Sequence, residues 1–379
     1  MPKEQIFEIK KQEKPEVPEK ETEPEIVWSP EAEKEGEKLV MQISSLKESL
    51  DQAEEKGDLK EQALILDQIT PLIKRLEILA EKEWTSFEQI LKLKERYQED
   101  IVAYREEGIL EEFSKGQEGI KDENGKEYPV PSIQEIKARL RQNAEFFLEK
   151  AATMINPRLL LTPFALSLET FQNKYGELIK TKKKQGKLKG VDGQDLPVNM
   201  KEPVYLSDEL KKLRYFPKWE KKGNEIKAIG GINKEEAIEQ IGGWRILIIE
   251  DIPKAPEKGQ GQEKEMTTKK GEIKRRKQVE GGLDAAEQYE LLKQQNEEGL
   301  VPEDWFSFAL LYLKKNNVVL DDDQKTNYYC RLLGAVSASG SVPYAYWSRG
   351  NRQAGMGGMG GLGPGGRNGD CVVRSAVRV

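Results

Sequence analysis

From residue 29 to residue 155 the large apolar residues keep to one side of successive helices. Beyond 155 that pattern gives way to short apolar runs separated by glycine and charge. A chain patterned in this way is expected to join a helical part to a mixed α+β part, because each part must bury a differently shaped apolar face. Ser29-Pro30-Glu31 offers an N-cap followed by proline at the first helical position. Leu39, Ile43, Leu46 and Leu50 then fall on one helical stripe. Gly57 ends that helix, and Asp58 with Glu61 reads as a capping box opening the next. The second stripe is Leu59, Ala63, Leu66, Ile69, Ile73, Leu76 and Ala80, with a kink expected at Pro71. Thr85 and Glu88 predict a third helix carrying Trp84, Phe87, Leu91, Ile101 and Tyr104. Ser132 and Glu135 cap a further one presenting Ile136, Leu140, Phe147 and Ala151. The stripes predict an all-α bundle or coiled-coil hairpin over 29–155, serving as core or as a self-association surface.

Charge decides what lies outside that bundle. Of 379 residues 34% are charged, against about 25% in an ordinary globular chain, so part of the sequence is expected to stay out of any core. Residues 1–28, rich in Lys, Glu and Pro, read as a disordered charged arm. The segment 156–200 reads as a connecting helix and a basic loop, and 256–282 as a disordered insertion. The balance of 61 basic and 67 acidic side chains argues against a globally basic nucleic-acid binder. In the local basic clusters Glu is interspersed and no aromatic platform accompanies them, so nucleic acid is not an expected partner. The opening MPKEQIFEIKKQEKPE has no apolar signal core and no run approaches a membrane span, so no membrane insertion and a soluble, cytoplasmic chain are expected.

The chemistry is bounded by what is missing. There is no histidine, which removes Ser-His-Asp and Cys-His catalysis and His-ligated zinc. Cys330 and Cys371 cannot build a four-thiolate site, and they read as small, reduced, buried side chains. Asp321, Asp322 and Asp323 lack the glycine and the distal glutamate of a calcium loop and read as a solvated turn. Neither a metal nor another cofactor is expected, and no catalytic residue is assigned.

The remaining landmarks lie in 201–379. Asn233 and Glu236 cap a short helix ending at Gly242-Gly243, and Trp244-Arg-Ile-Leu-Ile-Ile249 is suited to a buried strand. Asp284 with Glu287 and Pro302-Glu-Asp-Trp305 open two more helices. The run AGMGGMGGLGPGGRNGD, from Ala354 to Asp370, matches no phosphate-binding loop. Apolar sequence flanks it on both sides, Tyr344-Ala-Tyr-Trp347 before and Val372 to Val379 after.

Gly242-Gly-Trp-Arg245, Leu332-Leu-Gly-Ala335, Ala338-Ser-Gly-Ser-Val-Pro-Tyr344, Tyr346-Trp-Ser348 and Arg374-Ser-Ala-Val-Arg378 together resemble the C-type-lectin-fold domain of variable proteins diversified by diversity-generating retroelements. The likeness covers roughly 200–379 and is most specific in the last 50 residues. It implies a C-terminal α+β C-type-lectin-like domain in which Trp244, Arg245 and Trp347 belong to scaffold strands and Arg374 and Arg378 to the terminal strand. It also implies a segment, 348–370, rewritten by adenine-targeted mutagenesis, consistent with a stretch of Gly, Arg, Asn and Asp. The implied ligand-binding positions are Ser348, Arg349, Asn351, Arg352, Gln353, Gly355, Met356, Gly357, Met359, Gly360, Leu362, Gly365, Gly366, Asn368 and Asp370. The partner implied is an unidentified protein or surface ligand. The glycine load departs from the Tyr, Trp, Asn, Ser and Asp usual on such surfaces, and the Glu-Pro-Asn and Trp-Asn-Asp calcium motifs are absent. The formylglycine-generating sulfatase-modifying enzymes share this scaffold but need two cysteines close together. An alternative reading is a structural adaptor acting through its N-terminal helices.

Overall fold

The computed structural model describes residues 30–379 apart from 115, 224, 269–270, 324–327, 359–363, 368 and 370, and apart from the side chains of 30–34, 36–37 and 76–87. The arm expected over 1–28 and the Ser29 cap lie outside the described residues. Helices occupy the N-terminal part and the C-terminal region is rich in sheet, giving a mixed α/β chain. Among the described residues no helix is long and apolar enough to cross a membrane.

Pro30–Glu55 and Leu59–Leu91 form a helical hairpin. Asp58 opens the second helix as its sequence predicts, its carboxylate accepting from the amides of Lys60 and Glu61 at 3.1 Å. The seam is narrow: Ala53, Ile65 and Ile69 are buried, backed by Leu46 and Leu50. Leu59, Leu66 and Ile73 point to solvent instead, contrary to the expected stripe. Two helices cover only one strip of each other, and here that strip is rotated onto Ile65 and Ile69. Pro71 sits inside the helix, which runs on through Thr85 and breaks only at Lys92, whose φ is 45°. A new helix begins at Leu93. The side chains of Leu76, Ala80, Trp84 and Phe87 lie outside the described residues.

Residues 93–155 are not a free-standing bundle. Leu93, Tyr104, Ile136, Leu140, Leu148 and Ala151 share one continuous core with the strand Pro157–Thr162 and the helices beyond it. A small antiparallel sheet, Glu111–Glu112, Glu118–Lys121 and Glu127–Pro129, also interrupts the helices. Its second turn is made by Asp122, whose carboxylate accepts from the amides of Asn124 and Lys126 at 2.9 Å, with Gly125 in the left-handed region. Asn124-Gly125 was the legible signal, but the charge around it concealed the strands.

Two sheets organise the rest. The first is antiparallel and runs Glu298–Gly299, Ser375–Arg378, Arg245–Glu250, Pro157–Thr162. Pro157–Thr162 thus belongs to this sheet rather than to a connector, and Arg245–Glu250 is buried along its whole length, as its apolar run predicts. The second runs Cys371–Val373, Tyr329–Arg331, Pro343–Ser348, Gln353–Gly358, Val204–Leu206, with Asp322–Asp323 added beside Pro343–Ser348. The helix Pro302–Asn316 is buried over most of its length. The expected single terminal strand is two strands, one in each sheet, and the chain changes sheet at Arg374.

That crossing explains the aspartate run. Asp321 is fully buried, not solvated: it takes two hydrogen bonds from Arg374 at 3.0 and 2.8 Å, one from Trp305 Nε1 at 2.8 Å and one from Tyr328 Oη at 3.1 Å. Asp322 is buried against Arg349. A buried carboxylate persists only where donors surround it, and here three residues distant from one another in sequence supply four hydrogen bonds. Arg245 is held likewise by Asp304 and Glu298, and Arg158 by Asp100. The expected disordered insertion contains an antiparallel hairpin, Glu263–Thr267 with Ile273–Lys277. Arg276 anchors it, buried between Glu250 and Glu297 at 2.7 Å from each. Its sequence, mostly Lys, Arg and Glu with only Met266 and Ile273 apolar, carries no apolar alternation because one buried ionic contact replaces an apolar face.

Candidate functional site

The segment expected to be a ligand surface begins as an interior strand. Gln353–Gly358 lies between Pro343–Ser348 and Val204–Leu206, hydrogen-bonded to both. Strand geometry sends alternate side chains to opposite faces. Ala354 and Met356 enter the core beside Ala345 and Trp347, so Met356 is a packing residue and not a binding position. Arg349 is fixed by Asp322 at 2.8 and 2.5 Å and by Asp192 at 2.8 Å. Ser348 Oγ accepts from the amide of Asn351 at 3.1 Å, and Gln353 Oε1 accepts from Asn199 at 3.2 Å. The Gly366 carbonyl accepts from the buried Arg331. Asn351, Arg352 and Gly365 are exposed as expected. Met359, Gly360, Leu362, Asn368 and Asp370 lie outside the described residues.

Gly355 and Gly357 are the informative pair. Both lie on the outer face of the strand, where Tyr346 stands directly opposite Gly355 and Tyr344 directly opposite Gly357. On the other side Gly355 pairs with Tyr205. A Cβ on Gly355 would stand 2.8 Å from Cε1 of Tyr346, and one on Gly357 would stand 3.3 Å from the Tyr344 hydroxyl. The glycines are therefore occupied by rings from neighbouring strands, the arrangement in which an aromatic covers an otherwise bare strand position.

Tyr329 completes the group. Its ring meets Tyr344 at 5.0 Å and Tyr346 at 5.1 Å, edge to face in both cases, while Tyr344 and Tyr346 stack at 5.7 Å. These separations lie within the favourable range for aromatic pairs. Tyr205 is 43% exposed, and the other three are half-buried. Burial, reinforced by Tyr344 and Tyr329, pushes the Tyr346 phenol up to about 12, so its hydroxyl remains a donor at neutral pH. Glu209 and Asp323 bring negative charge to the rim, acting on Tyr344 and Tyr346 respectively. The result is a rigid aromatic sheet face with acidic edges.

Tyr344 and Tyr346 stand in sequence as flanks of the glycine run, whereas Tyr205 and Tyr329 belong to no local pattern that points to this face. The signal for joining them was the period-two match between Tyr344, Tyr346 and Gly355, Gly357, which register converts into opposed pairs. Tyr205 comes from a parallel strand some 150 residues earlier, which no local pattern reveals. Trp244, Arg245 and Trp347 are all buried, Arg245 and Trp347 within strands and Trp244 just before one. Cys330 and Cys371 are free and buried, and burial pushes the Cys330 thiol well up, away from a nucleophilic thiolate.

No family model, curated protein or solved structure matches the chain.

Proposed function

We propose that this chain is a ligand-recognition protein whose binding surface is the tyrosine face formed by Tyr205, Tyr329, Tyr344 and Tyr346, with the exposed Asn351-Arg352 turn beside it. The observation that carries the reading is the packing of Tyr346 and Tyr344 over Gly355 and Gly357, with Tyr329 against both rings. Tyrosine gives large contact area at little entropic cost because only two side-chain angles must be fixed, and mutual packing fixes them beforehand. Glu209 and Asp323 favour a partner that brings Arg, Lys or another cation to the rings. The reading gives this face a binding role and no catalytic one.

The scaffold is proposed to be C-type-lectin-like, and the protein a variable protein of a diversity-generating retroelement acting inside the cell on an unidentified protein or surface ligand. The motif resemblance and the buried positions of Trp244, Arg245 and Trp347 support this. Diversification would be confined to positions that do not build the frame, foremost Asn351 and Arg352, because Arg349 and Met356 have structural work. The adaptor reading keeps one supporting observation, the exposed Leu59, Leu66 and Ile73 at heptad spacing on the second helix, a seam suited to another helix or a second copy.

A random-peptide phage library panned on the full chain tests the recognition reading. Enriched peptides should be rich in basic and aromatic residues and should lose binding to a Tyr329→Ser, Tyr344→Ser, Tyr346→Ser variant that still melts cooperatively. Peptides that bind the variant as well as the parent would overturn it.

A further inference from the structure

A second concave site lies away from the sheet face. A cleft of about 890 Å³ is lined by the turn at Asp122–Lys126, the start of helix Leu168–Lys184, the 3-10 turn Asp208–Lys211 and the start of helix Lys234–Ile241. Three of its lining residues meet in one cluster. Asn233 caps its helix through a capping box, which puts Lys234 at the first helical position; Pro302 opens another, which puts Glu303 at the second. Lys234 Nζ donates to Glu303 Oε1 at 2.5 Å, and Tyr215 Oη donates to the same oxygen at 2.8 Å. Glu303 is fully buried, and its Oε2 has no partner among the described residues. The ammonium stands 3.8 Å from the centre of the Phe164 ring.

The ordinary use of such a cluster is a structural ion pair. Two features go beyond that use. The Lys234 side chain keeps 23% of its surface exposed and lines a cleft of small-molecule size. The carboxylate beside it retains an uncommitted oxygen and is oriented by Tyr215, the arrangement of an activated nucleophile, its base and the group that positions the base.

We propose that Lys234 captures the carbonyl group of an aldehyde or ketone ligand as an imine. Lys234 first passes a proton to Glu303. Its nitrogen then forms a bond to the carbonyl carbon while the C=O π pair moves to oxygen, which takes that proton to give a carbinolamine. The nitrogen lone pair expels the hydroxyl, which leaves as water with the second proton of the amine relayed by Glu303. Ammonium and carbonyl become iminium and water, with no oxidant or reductant. The iminium carries the same charge as the ammonium it replaces. The buried Glu303 carboxylate therefore has a cationic partner before and after the reaction and is itself neutral while it holds the relayed proton, so no unpaired charge is left buried. Burial lowers the Lys234 pKa, with Glu303 and Asp304 from one helix opposing and Arg245 from the adjacent strand assisting.

The test is reductive labelling of the full chain with glycolaldehyde and cyanoborohydride at neutral pH, read lysine by lysine by peptide mass spectrometry. Lys234 should be labelled at least about tenfold faster than exposed lysines such as Lys60 and Lys201, and the advantage should shrink towards pH 10 as those lysines lose their own protons. A merely structural ion pair predicts the reverse order, and labelling at or below the rate of exposed lysines overturns the proposal. Glu303→Gln should slow Lys234 alone. Should that variant lose its cooperative melt, Tyr215→Phe, which keeps the ring and leaves Glu303 less well oriented, replaces it. Unchanged Lys234 labelling in a folded variant of either kind also overturns the mechanism.

Discussion

Replacing Gly355 by alanine probes the tyrosine face at the point where packing is tightest. The φ of Gly355 is not in the left-handed region, so alanine meets no backbone strain there. The conflict is steric: the new methyl would stand 2.8, 2.9 and 3.1 Å from Cε1, Cζ and Oη of Tyr346. That ring cannot retreat freely, because Tyr344 stacks on it and Tyr329 meets its edge. Overpacking of this kind costs about 1–3 kcal/mol. At Gly357 the nearest atoms are at 3.3 and 3.4 Å, which a small shift relieves, so about 1 kcal/mol or less is expected. At Gly358 the only severe contact is the Glu209 carboxylate at 2.0 Å, the exposed tip of a flexible side chain that can swing away. Gly358→Ala should therefore cost least. Urea unfolding of the three variants measures the order, and a double-mutant cycle between Gly355→Ala and Tyr346→Ser measures its cause. The account expects Gly355→Ala to be the most destabilising and most of its cost to vanish when Tyr346 is serine. Equal costs at 355 and 358, or no coupling to Tyr346, would refute the packing argument.

Asp321→Ala should cost about 3–5 kcal/mol because it leaves Arg374 buried beside an empty site, whereas Asp322→Ala should cost less since Arg349 keeps Asp192; thermal melts compare them. The fragment 29–155 should show helix by circular dichroism but no cooperative melt, since Leu93, Tyr104 and Leu148 lose the core they share with Pro157–Thr162; a sharp transition would restore an autonomous bundle. Burial raises Asp100 and Asp304 to about 6, so the folded chain holds protons that the unfolded chain has released above the ordinary carboxylate range. Their contribution is therefore full at low pH and is lost as pH rises to about 6, by roughly 3 kcal/mol at most for each. Urea midpoints should fall between about pH 4.5 and pH 7, and Asp304→Asn should flatten that fall.

Capping boxes and apolar runs were legible because they are local. Asp58, Ser132, Asn233 and Asp284 all cap the helices their spacing predicts, and Arg245–Glu250 is the buried strand its composition predicts. What sequence concealed was long-range pairing of charge. Asp321 looked solvated because Arg374, 53 positions away, is invisible to a local reading. Arg276 looked disordered for the same reason, its partners Glu250 and Glu297 lying in other elements. The glycines misled in the opposite direction. A side-chain-poor stretch reads as a loop, but Gly355 and Gly357 leave space that Tyr346 and Tyr344 fill from the next strand. The outer face of that strand is thus built by side chains of its neighbours, which the glycine run itself does not reveal.

The proposed recognition function makes a demand on the gene itself. Deep sequencing of the codons for residues 329–379 across a cell population should show substitutions confined to adenines, concentrated at the codons of the exposed Asn351 and Arg352 and sparing those of Met356, Arg349, Tyr329, Tyr344 and Tyr346. Substitutions spread evenly over all four bases, or striking core and exposed codons alike, would contradict a diversified surface carried on this frame.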